Sequence, residues 1–100
     1  MSNLYYESHV TIAPVVGEEL QLFKSICGTL DFRVAKLLME KTLTDIDSFC
    51  TSRSNIYTDI VERTIELVEV LMTAGFVVRR YKIEDTLVDS NIQDKFELFQ

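Results

Sequence analysis

The chain has no tryptophan and a single histidine, His9. Three glycines and one proline are too few for a collagen-like or low-complexity chain. The two cysteines, Cys27 and Cys50, form no C-x-x-C pair, and one histidine cannot complete a zinc set with them. Small secreted domains carry denser cysteine frameworks. Both thiols are therefore expected as small core residues, and nothing in their spacing supports a disulfide. No apolar stretch approaches the ~20 residues of a membrane span. The first residues show no basic region followed by an apolar run, so no signal peptide is expected. These absences predict a soluble, reduced, cytoplasmic protein. Cations are also scarce: ten Lys and Arg against sixteen Asp and Glu leave a net charge of −6. That argues against a general nucleic-acid binder, which must neutralise phosphates. No G-x-G-x-x-G, P-loop, nucleophile elbow or metal-ligand cluster is present, so no cofactor and no metal are expected.

What remains is ordinary globular sequence, 47% hydrophobic and 26% charged over 100 residues. That is one domain, 1–100, with a small core. Leu4 to Ile12 alternates: Leu4, Tyr6, Ser8, Val10 and Ile12 share one side, Tyr5, Glu7, His9 and Thr11 the other. Period two with β-branched and aromatic residues predicts a half-buried strand, ended by Pro14. Gly17-Glu18-Glu19 opens a helix whose apolar face is Leu20, Phe23, Cys27 and Leu30. Gly28 marks its expected stop. Phe32 to Lys41 reads as a second strand, Thr42 to Asp47 as a hairpin connection, and about Ile46 to Ser52 as a third strand.

Ser54 or Asn55 is the expected cap of a long helix. Its stripe is Ile56/Tyr57, Ile60/Val61, Thr64/Ile65, Val68 and Leu71/Met72; Asp59, Glu62, Arg63, Glu66 and Glu69 form the outer face. Gly75 ends it. Phe76 to Val88 is the last strand, with Val77, Tyr81 and Ile83 on one side and Arg80, Lys82 and Glu84 on the other. Arg79 falls on the core side and is expected to extend its head to solvent near the sheet edge. Ser90-Asn91-Ile92-Gln93 resembles a capping box for a short terminal helix with Ile92, Phe96 and Phe99 as its apolar face. The order β-α-β-β-α-β over 4–88, plus a helical tail over 89–100, predicts an α+β ferredoxin-like sandwich. Its four-stranded antiparallel sheet would carry both helices on one face, with the first strand central beside the third and fourth.

The other sheet face is where chemistry is expected. Glu7, His9 and Thr11 of the first strand face outward beside Arg80, Lys82 and Glu84 of the fourth. The third strand adds Thr51 and Arg53, or Cys50 in the other register. An imidazole, a hydroxyl and cations together suit a phosphate or another small anion. Glu7 and Glu84 opposite Arg80 and Lys82 also read as plain cross-strand ion pairs, each worth at most about 1 kcal/mol. Two further surfaces compete as partner-binding sites: the acidic helix face Glu62, Glu66 and Glu69, and the tail residues Ile92, Phe96 and Phe99.

Two resemblances bear on function. His9-Val10-Thr11-Ile12 resembles the H-x-T-hydrophobic strand motif of two-histidine phosphoesterases. That resemblance implies a general acid or base at His9 and a phosphate contact at Thr11. The chain departs from the pattern by lacking a second histidine; Phe49-Cys50-Thr51 stands in a strand-like position without an imidazole. Tyr5-Tyr6-Glu7-Ser8-His9-Val10-Thr11-Ile12 with Arg80-Tyr81-Lys82-Ile83-Glu84-Asp85 is similar to a set of small uncharacterised bacterial and phage proteins, over about residues 4–90. That similarity implies the fold and leaves the activity open. The chain is thus expected to be a small binding or interaction module, non-enzymatic as a monomer, partnered by a second copy or another protein. The alternative is a phosphoesterase-like enzyme or remnant, completed by homodimerisation that supplies the second His9.

Overall fold

The computed structural model describes residues 3–34 and 47–88. Within them the chain is α+β, in the order β1 (Asn3–Ile12), α1 (Gly17–Thr29), β2 (Arg33–Val34), β3 (Ser48–Ser54), α2 (Tyr57–Thr73) and β4 (Val78–Val88). The strands form one antiparallel sheet in the order β2-β3-β1-β4. The expected hairpin at 42–47 lies outside the described residues except for Asp47, and the second strand is described only as Arg33–Val34. The expected terminal helix, with Ile92, Phe96 and Phe99, also lies outside them.

The core follows the alternation of β1. Ser8, Val10 and Ile12 are fully buried, and opposite them on β3 lie Ser52, Cys50 and Ser48, also buried. Leu20, Phe23 and Cys27 of α1 and Leu67 and Leu71 of α2 pack on this same face with Phe32 and Phe76. Phe23 and Phe76 meet with ring centroids 5.9 Å apart. One polar bolt crosses the core. Thr64 Oγ1 donates to the Ile60 carbonyl at 2.6 Å, so the Ser8 hydroxyl donates to Thr64 Oγ1, also at 2.6 Å. Both cysteines are free and buried. A hydrogen bond with the Cys27 thiol, then burial, push the Cys50 thiol far above its ordinary range.

Both helices end in the same backbone motif. The Phe76 N–H donates to the Leu71 carbonyl and Gly75 to Met72; likewise Phe32 donates to Cys27 and Asp31 to Gly28. These are Schellman closures, each burying a phenylalanine just past the left-handed residue. Gly75 takes that residue's place after α2 at φ 94°, as the sequence predicts. After α1 it is Asp31, at φ 60°. The expected stop at Gly28 is therefore corrected: Gly28 lies inside the helix, and Phe32 is a helix-closing core residue instead of a strand residue.

Three other expectations shift. The α2 cap position is Ile56, whose N–H donates to Ser54 Oγ at 3.1 Å, so Ser54 acts two residues before the cap and neither Ser54 nor Asn55 is the cap itself. On α2 the buried row is Ile60, Thr64, Leu67 and Leu71; Ile56, Tyr57, Ile65 and Met72 are exposed. The predicted stripe was too wide for one sheet to cover, and it omitted Leu67. On β4 a register shift pairs Thr11 with Arg80 but Ile12 with Val78, leaving Arg79 as an extra residue. Val78 thereby takes the core place expected of Val77, which is 63% exposed and precedes the strand. Tyr81 keeps the register of Val10, yet on this edge strand it is 54% exposed. Arg79 does extend outward, to the Asp47 carboxylate at 3.4 Å.

Candidate functional site on the open sheet face

The strand pairing arranges the outward residues of β1 in rows. Glu7 lies between Arg53 of β3 and Glu84 of β4; His9 between Thr51 and Lys82; Thr11 between Phe49 and Arg80. Arg33 of β2 lies beyond Thr51. Every open-face residue expected from the sequence therefore belongs to one neighbourhood. Arg53 and Thr51 hold the outward register, and Cys50 is the core residue between neighbours, settling the open choice on β3.

Glu7 and Glu84 are directly opposed, and like charges in that position destabilise a strand pair. Their neighbours offset the repulsion. His9 Nε2 lies 3.0 Å from Glu7 Oε1 and 2.9 Å from Glu84 Oε1. Arg53 Nε donates to Glu7 Oε2 at 2.9 Å, with its guanidinium 5.1 Å from the Tyr5 ring centroid. Lys82 Nζ is 3.6 Å from Glu84 Oε1. Despite the short distances, Nε2 is sheltered from solvent and makes no properly directed hydrogen bond to either carboxylate. One ring N–H cannot point squarely at two oxygens at once.

Beside this cluster, an open cleft of about 380 Å³ is lined by Asp31, Arg33, Thr51, Ser52 and Arg53. Among the described residues Arg33 and Arg80 have no ion-pair partner. Two of the lining residues, Ser52 and Arg53, are held by Arg63 of α2. Its Nη1 donates to Ser52 Oγ at 2.7 Å and to the Arg53 carbonyl at 3.1 Å, and Nη2 to Asp59 Oδ2 at 2.6 Å. Ser52 Oγ in turn donates to the Asp31 carbonyl at 2.7 Å. Arg63 is only 19% exposed, so its expected place on the solvated helix face is corrected. A long side chain at the edge of that face reaches round to the end of β3. Glu62, Glu66 and Glu69 do lie exposed on α2, apart from the sheet.

The sequence put Glu7, His9 and Glu84 on one outward face, but their direct contact as a set was not legible. Glu-x-His puts two members on one face of a strand, but the third lies 75 positions from His9 and needs the β1–β4 register. No protein-family model, curated protein or solved structure matches the chain. Among the described residues no helix is long and apolar enough to cross a membrane.

Proposed function

We propose that the chain is a small cytoplasmic binding module of ferredoxin-like arrangement, whose working surface is the open sheet face, and that it takes a small phosphate-type anion in the cleft beside His9. The observation that carries this is the meeting of Arg33, Thr51 and Arg53 around one cleft, with Arg33 unpaired among the described residues. Guanidinium groups present planar forks that match phosphate oxygens, and Thr51 adds a hydroxyl. Arg53 is half-committed: its Nε serves Glu7, while the rest of its fork is left for a ligand. Binding is favoured over catalysis because His9 Nε2 is turned to the chain's own carboxylates, and the sequence holds no second histidine. Thr11 and Arg80 extend the same face on the far side of His9.

Calorimetric titration with inorganic phosphate tests the reading. Wild type should bind with a Kd in about the millimolar range or tighter. Arg33→Ala and Arg53→Ala should each weaken binding about tenfold, the equivalent of one charge-assisted contact. Glu62→Gln/Glu66→Gln should leave it unchanged. Equal binding by all variants, or none by wild type, would remove the cleft as the site.

A further inference from the structure

We infer that Glu7, His9 and Glu84 form a binding site for one divalent transition-metal ion of the zinc type. Three ligand atoms, one imidazole nitrogen and two carboxylate oxygens, lie within 4.8 Å of one another. The two Nε2–oxygen separations are 3.0 and 2.9 Å. Tetrahedral bonds of about 2.1 Å put their ligand atoms about 3.4 Å apart, so the three groups need to part by only about 0.5 Å to admit an ion. The chemistry of the set points the same way. Opposed carboxylates require positive charge between them, and the imidazole answers this with a single N–H that aligns with neither. A cation at the convergence would take the Nε2 lone pair and both carboxylates at once. The imidazole favours zinc-like ions over magnesium or calcium, which prefer all-oxygen sets.

The surroundings support such a centre. Arg53 holds the outer oxygen of Glu7 and so orients Oε1 toward His9. Lys82 is the competing cation at Glu84 Oε1, but at 3.6 Å it is held loosely. Three protein ligands leave at least one further coordination position on an ion for water or another ligand. The inference rests on the open face being the binding surface, and it names an ion where the preceding reading names an anion.

Zinc chloride titration of phosphate-free full-length protein, followed by ¹H–¹⁵N and imidazole NMR, separates the two. Zinc should shift the His9 ring resonances and the amides of residues 7, 9 and 84. Manganese at substoichiometric amounts should broaden those same signals first. His9→Ala, Glu7→Gln and Glu84→Gln should each weaken zinc binding at least tenfold, and Glu84→Gln, on the exposed edge strand, also keeps the fold testable. Lys82→Ala, which removes the competing cation, should leave binding equal or tighter. No zinc response, or a response unmoved by all three ligand variants, would overturn the metal site. Phosphate binding that persists in that case would leave the anion reading standing. Zinc binding at residues 7, 9 and 84 without any phosphate binding would keep the metal site and remove the anion.

Discussion

Asp31 holds φ 60° at the close of α1, a conformation that costs most side chains about 1 kcal/mol relative to glycine. Its carboxylate gains little there, being 86% exposed and 3.7 Å from Arg63. Asp31→Gly should therefore raise stability by roughly 0.5–1 kcal/mol in urea unfolding. The face of β1 makes a sharper contrast. Val10→Asp should unfold the protein, because an unpaired carboxylate in a fully buried place costs several kcal/mol. Its neighbour Thr11 is outward, and Thr11→Ala should change stability by no more than about 0.5 kcal/mol. Circular dichroism melts of the two variants check this; a reversed order would put the wrong face of β1 in the core. Cys50 carries a pH signature. Its folded thiol stays protonated, whereas the unfolded thiol ionises above its ordinary 9.0. Above that pH the unfolded state binds fewer protons, so stability falls as pH rises. Cys50→Ala should lose about 1.4 kcal/mol less per pH unit in that range than wild type.

At the scale of elements, Arg63 ties α2 to the end of β3 and the close of α1. Arg63→Ala should cost about 2–3 kcal/mol, since it removes charged hydrogen bonds and leaves the Arg53 carbonyl and Asp59 without their partner. Arg63→Lys should recover only part of the loss, because one ammonium cannot span both ends of the fork. Chemical denaturation of the pair reads this directly. The elements differ in how plainly the sequence announces them. The side pattern of β1 was legible because its period of two runs unbroken from Leu4 to Ile12. The end of α2 was legible because Gly75 is the residue a left-handed closure favours. The end of α1 was not, since Asp31 fills the same role against its own preference. The inward side of β4 was misread at Val77 because a bulge at Arg79 resets the register, and no local residue signals it. The α2 face was half legible: apolar residues surround the helix, and only packing selects Leu67 over Ile65.

For the whole molecule, the topology assembles the candidate site more than any motif does. Placing β1 between β3 and β4 gathers Glu7, His9, Thr51, Arg53, Lys82 and Glu84 from three distant stretches onto one side of a sheet whose other side both helices cover. The outward face and its gathering from neighbouring strands were readable from alternation and element order; which side chains touch required the register. His9 is here a member of a carboxylate cluster, so the wild-type protein should hydrolyse cyclic and linear phosphodiesters no faster than His9→Ala does. A wild-type rate well above the variant's would restore the two-histidine reading, with a dimer supplying the second ring. The most direct measurement is an amide chemical-shift map of the intact protein titrated with inorganic phosphate. A recognition surface on the open sheet predicts shifts concentrated at Arg33, Thr51 and Arg53, fading toward Arg80. Shifts concentrated on Glu62, Glu66 and Glu69 of α2, or spread evenly over the chain, would contradict it.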